Sequence, residues 1–129
     1  MENCLFCKNL KEKENWVVSE SPNFFSVFDE NPVNKGHMMI ITKEHIESFF
    51  DLDGEKGKEL IEFIKKLKDY LDEKFNPEGY NLGVNDKEAG GQTIFHLHIH
   101  LIPRHKGDVE NPIGGVRNII SGKGDYTKN

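Results

Sequence analysis

The strongest constraint on the fold is a run in which histidines alternate with aliphatic residues from position 96 to position 102. His96, His98 and His100 occupy every second place, and leucine or isoleucine fills the places between them. In an extended strand, alternate side chains point to opposite faces, so the three imidazoles would share one face about 6.7 Å apart. The pattern predicts a strand with one buried apolar face and one face that is suited to chemistry.

Length and charge limit the classes of protein to which this chain can belong. A chain of 129 residues with a net charge of -5 predicts a single domain, 1–129, whose surface does not bind nucleic acid. No apolar run is long enough for a membrane helix, and Met1 leads into a charged stretch rather than a signal peptide. We therefore expect a cytoplasmic protein that associates with neither nucleic acid nor membrane.

Five segments have the composition and spacing of strands. Short strands are predicted at 16–18 and 24–28, with a proline-containing turn between them. The continuous apolar run at 37–41 is typical of a central strand that is buried on both faces. Two further strands are predicted at 80–85 and 94–103, joined by a loop that is rich in turn-forming residues.

Helices are predicted between the third and fourth strands. Thr42 is a candidate cap for a short helix that ends near Asp51, and Asp53 is a candidate cap for a longer one. The longer helix carries apolar residues at intervals of three or four: Leu60, Ile64, Leu67, Leu71 and Phe75. Strands, then helices, then strands indicate an α+β fold with a mainly antiparallel sheet and two helices. Scattered glycines predict an irregular carboxy-terminal tail at 105–129.

The residues just before the histidine run can bind phosphate. Gly91, Gln92 and Thr93 offer backbone amides, a side-chain amide and a hydroxyl at the start of the predicted strand. Residues 91–104, GQTIFHLHIHLIPR, followed by Gly-Asp at 107–108, resemble the signature of the histidine triad (HIT) family of nucleotide hydrolases and transferases.

The resemblance covers most of the chain. It extends upstream to 28–32 and to Gly-His at 36–37, and downstream to 114–117. The similarity is strongest to the bacterial and archaeal branch, which includes proteins that resemble diadenosine polyphosphate hydrolases. It implies a HIT-like fold whose sheet extends across a homodimer, with the segment 114–117 reaching the partner's site.

The properties of an imidazole indicate the chemistry of the central histidine independently of the family resemblance. A neutral imidazole with one nitrogen bonded to a backbone carbonyl presents the other nitrogen as a nucleophile. Attack on the α-phosphorus of a nucleotide would give a nucleotidyl-histidine that water then hydrolyses. His98 has a donor on either side and is the natural nucleophile, and the resemblance assigns it the same role. His100 would hydrogen-bond to a phosphate oxygen or to the leaving group.

The resemblance also implies roles for residues outside the run. His37 would complete the catalytic surroundings of the phosphate, Asp29 would bind the ribose hydroxyls, and Asn85 would position the phosphate. Taken alone, each of these three residues could equally be a turn or capping residue. An apolar cleft for the base is expected around Phe24, Phe25 and Ile40.

Two cysteines, Cys4 and Cys7, have the spacing of half a tetrahedral zinc site. On spacing alone, such a pair is more often unligated or redox-active than half of a zinc site. The resemblance implies that His45 and His96 supply the other two ligands and that the zinc is structural, without an organic cofactor. It also implies that residues 1–10 form a zinc-binding amino-terminal segment.

Three functions remain open from the sequence. The first is a nucleotidyl hydrolase or transferase that acts on diadenosine polyphosphates, and the second is an adenosine phosphoramidase. A polyphosphate leaves as a stable anion whereas an amine must leave protonated, and the sequence does not choose between them. The third is a nucleotide-binding regulatory module with little turnover. All three bind a nucleotide, and the resemblance implies an adenine nucleotide, whereas the residues alone do not set the base.

Overall fold

The computed structural model describes residues 3–128, so the outermost residues of the predicted segments 1–10 and 105–129 lie outside the described part. The helices are α1 (Leu5–Lys11), α2 (Lys13–Trp16) and α3 (Gly54–Phe75). The strands are β1 (Ser19–Glu20), β2 (Phe24–Phe28), β3 (Met38–Thr42), β4 (Gly79–Gly83) and β5 (His98–Arg104). Short 3-10 turns lie at Phe49–Asp51, Glu88–Gly90, Gly115–Ile119 and Tyr126–Lys128.

The five strands form one antiparallel sheet in the order β1-β2-β3-β5-β4. This arrangement confirms the predicted α+β fold with a mainly antiparallel sheet. The histidine-bearing strand β5 lies between β3 and β4, and His100 pairs with Met39 on one side and with Gly83 on the other. The reactive residues therefore lie on an interior strand, whose backbone is fixed from both sides.

Both faces of the sheet are covered. One face packs against α3, and its core contains Phe24, Ile40 and Ile99 together with Leu67 and Leu71 of the helix. The opposite face packs against the amino-terminal segment, and its core contains Cys4, Phe6, Phe25, Val27 and Ile41. β3 contributes to both cores, which confirms the prediction of a central strand that is buried on both faces.

The long helix begins and ends where its sequence predicts. Asp53 Oδ1 accepts a hydrogen bond from the amide of Lys56 at 2.8 Å, which satisfies one of the free donors of the first turn. Asn76 terminates the helix in the left-handed conformation, with φ of +48°, which asparagine tolerates better than most residues. Within residues 3–128, no helix combines the length and the apolar character that are needed to cross a membrane.

Two predictions of local structure are wrong. The strand predicted at 16–18 is absent, since Trp16 ends α2 and the pairing with β2 begins only at Ser19. Thr42 does not cap a helix because it still pairs with Phe24 in the sheet. The turn at Phe49–Asp51 is capped instead by Ser48, whose hydroxyl accepts from the amide of Phe50 at 3.1 Å.

The histidine strand begins later than position 94. The amide of Leu97 donates to the carbonyl of Ile46 at 2.7 Å, in the segment after β3, while the carbonyl of Leu97 accepts from the amide of Thr42 at the end of β3 at 3.4 Å. Only His98 and His100 of the three alternating histidines belong to β5. The bond to Ile46 brings His96 close to His45.

Candidate functional site

A cleft of about 270 Å³ lies between the sheet and α1. His98 and His100 line one end of it, and Val27 and Met39 line its floor. Val27 pairs with Met39 and Met39 pairs with His100, so these three residues form a row across three strands. With about 4.8 Å between neighbouring strands, the row spans about 10 Å, which is the scale of a nucleoside monophosphate.

His98 is buried, and a single backbone contact sets its protonation. Its Nδ1 atom lies 2.8 Å from the carbonyl oxygen of His96. Because a carbonyl oxygen only accepts, we assign the proton to Nδ1, which leaves the lone pair of Nε2 free. The ring of Phe6 packs against the imidazole with 4.9 Å between ring centroids. The nucleophile predicted from the sequence is thus held in one tautomer and in one orientation.

A second chain of hydrogen bonds fixes His37 and His100. The amide of Val33 donates to Nδ1 of His37 at 3.2 Å, so the proton of this imidazole lies on Nε2. His37 Nε2 lies 2.9 Å from His100 Nδ1, which must therefore accept. His100 is left with its own proton on Nε2, as a donor. The imidazoles of His98 and His100 lie 5.2 Å apart, measured between ring centroids.

Burial keeps this pair of imidazoles neutral. It lowers the pKa of His37 below its usual value, and the nearby charge of Asp29 offsets part of that effect. It lowers the pKa of His100 to about 4, with further lowering from His98 and His37. At neutral pH both residues are uncharged and act through hydrogen bonds.

The loop before β5 brings several predicted phosphate-binding residues to the cleft. Asn85, Gly91 and Thr93 line it, and Gly91 adopts the left-handed conformation with φ of +91°. Asp29 follows β2 and also lines the cleft, and its Oδ2 atom lies 3.5 Å from His37 Nε2.

Gln92 also lines the cleft, but its side chain is held within the protein. The side chain is buried, and Oε1 accepts from the amide of Lys87 at 2.8 Å. Its Nε2 donates to the carbonyls of Glu47 and Ile94 at 3.0 and 3.2 Å. Both Nε2 hydrogens therefore close the loop in this structure, and phosphate binding by Gln92 stays a prediction.

The wall of the cleft also differs from the prediction. Phe24, Phe25 and Ile40 are fully buried in the two cores and do not line the cleft. Residues from the amino-terminal helices take their place: Leu5, Phe6, Asn9 and Trp16. The signal for α1 was present in the sequence, since positions 5, 6 and 9 fall on one face of a helix.

A cluster of metal-ligating side chains lies beside His98. The donor atoms of Cys4, Cys7, His45 and His96 all lie within 4.8 Å of one another. His96 Nδ1 lies 3.2 Å from Cys4 Sγ and 3.1 Å from His45 Nδ1. The sequence resemblance implied these four residues, and the fold brings all four together although 92 positions separate Cys4 from His96.

The surroundings of His96 suit a metal ligand. Its Nε2 lies 2.7 Å from the carbonyl oxygen of Thr42, so the proton lies on Nε2 and Nδ1 faces the thiols with a free lone pair. Burial lowers the pKa of His96 to about 4. Two cysteine sulfurs and two histidine nitrogens are a donor set that zinc prefers in closed, structural sites. The residues present therefore fit this metal.

Comparison with known proteins gives a consistent result. A family model described as the HIT domain matches residues 10–107. Protein hit of Bacillus subtilis is 36% identical over 109 residues, covering 83% of this chain and 75% of that protein. The bis(5'-adenosyl)-triphosphatase of Dictyostelium discoideum is 31% identical, and the match covers 74% of this chain and 68% of that enzyme.

Two further matches bear on substrate and metal. The adenosine 5'-monophosphoramidase of Candida albicans is 32% identical, covering 78% of this chain and 70% of that enzyme. A zinc-bound histidine triad family protein from Mycobacterium smegmatis superimposes with a TM-score of 0.75 at 28% identity, covering 83% of this chain and 78% of its own. Together with the family model, which spans most of the sequence, these matches show that the chain belongs to the histidine triad (HIT) family.

Proposed function

We propose that this protein is a nucleotidyl hydrolase or transferase that cleaves adenine nucleotides at the α-phosphate through a covalent intermediate on His98. The observation that carries the proposal is the 2.8 Å contact between His98 Nδ1 and the carbonyl of His96. In the neutral imidazole, that contact leaves the lone pair of Nε2 free to act as a nucleophile in a cleft of nucleotide size.

The reaction has two displacements. In the first, the lone pair of His98 Nε2 attacks the α-phosphorus, and the bond from phosphorus to the leaving group breaks with its electron pair. In the second, water attacks the same phosphorus, the bond to Nε2 breaks, and the proton of water passes to solvent as the nucleoside monophosphate leaves. If a phosphate or an alcohol replaces water, the same intermediate gives transfer instead of hydrolysis.

The other residues of the cleft stabilise charge and position the substrate. The Nε2 proton of His100 points to a donor role toward the phosphate oxygens, and His37 holds that donor in place from behind. Asn85, Gly91 and Thr93 line the same cleft and would bind the phosphate. Asp29, which follows β2 and lines the cleft, would accept hydrogen bonds from ribose hydroxyls.

Diadenosine polyphosphates are the substrate class that this arrangement favours. A neutral His100, with a pKa of about 4, donates hydrogen bonds well but gives up a proton only weakly. A polyphosphate leaves as a stable anion, whereas an amine needs a proton as it leaves. The relatives named above include one enzyme of each kind, so the adenosine phosphoramidase is the second candidate.

Zinc is proposed as a structural component, held by Cys4, Cys7, His45 and His96. When bound, it would tie the amino-terminal segment to the loop before β5 and would contribute to folding rather than to turnover. The helix that it anchors forms one wall of the cleft. None of the residues proposed for the catalytic steps is one of these four metal ligands.

A homodimer is proposed from the free edge of the sheet. Within residues 3–128, β4 pairs on one side only, which leaves a row of backbone groups open to a second strand. Beside it lies an apolar groove of about 520 Å³, where Leu82 and Ile61 are 52% and 59% exposed. Sedimentation velocity should show a dimer at micromolar concentration, and a monomer would contradict it. The reach of the segment 114–117 into the partner's site, and the cytoplasmic location, stay predictions.

Substrate comparison tests the proposed activity. Diadenosine tetraphosphate and an adenosine phosphoramidate are incubated separately with the metal-replete protein, and the products are separated by chromatography. We expect AMP from both and a higher kcat/KM for the tetraphosphate. Binding of both compounds without products would contradict an enzyme and favour the regulatory module.

A further inference from the structure

The base end of the cleft contains a polar side chain in an apolar wall. Leu5 and Phe6 line it from α1, and Val27 and Met39 line it from the sheet. Asn9, also on α1, lies among these residues and is half-buried. Its side-chain amide makes no hydrogen bond to the described side chains, those of residues 3–12 and 15–128, or to their backbone. Within that part of the chain no polar side-chain atom is both closed to solvent and without a partner, so the amide of Asn9 is reached by solvent and is available to a ligand.

The position of Asn9 along α1 separates it from the residue that contacts the proposed nucleophile. Phe6 packs against His98, where the α-phosphorus would lie. Asn9 lies three residues further along the helix, a displacement of about 4.5 Å. It lines the same cleft as Met39 and Val27, which extend the row from His100 across the sheet. A base that lies over Met39 and Val27 would share this cleft with the amide of Asn9.

We propose that Asn9 recognises the base and that it selects adenine through the amino group at C6. The proposal rests on the function proposed above. An asparagine side chain presents an acceptor beside a donor, and adenine presents its amino group beside a ring nitrogen acceptor. Asn9 Oδ1 accepts from the amino group and Nδ2 donates to the ring nitrogen. The neighbouring residues Leu5, Phe6, Val27 and Met39 are apolar and contact any flat base without distinction.

Equilibrium binding of two nucleoside monophosphates tests this assignment. The probes are AMP and purine riboside 5'-monophosphate, which lacks only the amino group at C6, and binding is measured by calorimetry on the metal-replete protein. We expect the wild type to bind AMP about tenfold more tightly than the analogue, because a polar group in the site then loses its partner. Asn9→Leu, which keeps the branched shape and the number of side-chain heavy atoms, should bind the two probes equally.

Lys11→Ala is the matched control, since Lys11 is an exposed residue of the same helix that does not line the cleft. It should keep the tenfold ratio, and equal metal content in all three proteins shows that α1 is intact. Equal binding of both probes by the wild type, or an unchanged ratio in Asn9→Leu, overturns the role of Asn9 and leaves the proposed function standing. If the wild type binds neither probe, the proposed function itself fails and this inference fails with it.

Discussion

His96 and His98 stand two residues apart and use opposite nitrogens. In His96, Nε2 donates to the carbonyl of Thr42 and Nδ1 faces the two thiols. In His98, Nδ1 donates to the carbonyl of His96 and Nε2 remains free. One is positioned as a metal ligand and the other as a nucleophile, although the residue type and the local sequence are alike.

The comparison shows that hydrogen bonds to backbone carbonyls can give two identical side chains different roles. Each imidazole gives its single proton to the carbonyl within reach, and the other nitrogen then faces the partner that needs a lone pair. The two regions are also joined, because His96 supplies both a metal-ligating nitrogen and the carbonyl that orients His98. Changes at His98 should therefore act on activity alone, whereas changes at the metal-ligating residues should act mainly on stability and should reach His98 through His96.

The largest effect is expected from His98→Ala. Removing the nucleophile should lower kcat by about ten thousandfold or more, while the fold and nucleotide binding are retained. Single-turnover kinetics with diadenosine tetraphosphate measure the loss, and circular dichroism checks the fold. His105→Ala is the matched control, since this histidine lies outside the cleft, and it should keep full activity. Comparable turnover in His98→Ala would end its assignment as the nucleophile.

Cys4→Ser should act mainly on zinc content and stability, whereas His98→Ala acts on activity. Losing one of the four proposed ligands should abolish stoichiometric zinc and lower the free energy of unfolding by about 4 kcal/mol. Metal analysis and urea denaturation measure the two effects, with Lys11→Ala as the control on the same helix. Wild-type protein that contains no zinc when purified without chelators would contradict the metal assignment.

Substitutions of His100 test whether this residue donates a hydrogen bond beside the nucleophile. His100→Ala removes a hydrogen-bond donor to the phosphate and should lower kcat by about a hundredfold to a thousandfold. His100→Gln keeps an N–H at a similar distance from the backbone, so its loss should be clearly smaller. Equal kcat values for the two variants would show that the donor is not what His100 contributes.

The smallest expected effect is a dependence of the free energy of unfolding on pH. The folded pKa of His100, about 4, lies below the unfolded value of about 6.5, so the unfolded chain takes up the proton first as the pH falls. The contribution of His100 to stability is therefore complete above pH 6.5 and decreases toward pH 4. Urea denaturation should show a steeper decrease in the wild type than in His100→Gln. An NMR titration midpoint of His100 near 6.5 would contradict this.

The features that were predictable from sequence depend on neighbouring residues. Alternation identified the interior strand β5, the spacing of three and four identified α3, and Asp53 identified the start of that helix. The four metal-ligating residues came from the family resemblance, because spacing alone left Cys4 and Cys7 open to a redox role.

The features that were not predictable depend on contacts between distant segments. The strand starts at His98 because Leu97 bonds to Ile46, a contact that nothing in the local pattern encodes. Gln92 is a loop-closing residue because the carbonyls of Glu47 and Ile94 lie within its reach. The wall of the cleft comes from α1, whose docking onto the sheet depends on the whole fold.

Intact-protein mass spectrometry after rapid mixing with diadenosine tetraphosphate is the most direct test of His98 as the covalent nucleophile. Wild type, His98→Ala and Cys4→Ser are compared at short reaction times, with peptide mapping of any modified protein. We expect an adenylate adduct on His98 in the wild type and none in His98→Ala, with a reduced amount in any folded Cys4→Ser protein. An adduct that persists in His98→Ala, or product formed by the wild type with no adduct at any time, would contradict covalent catalysis at His98.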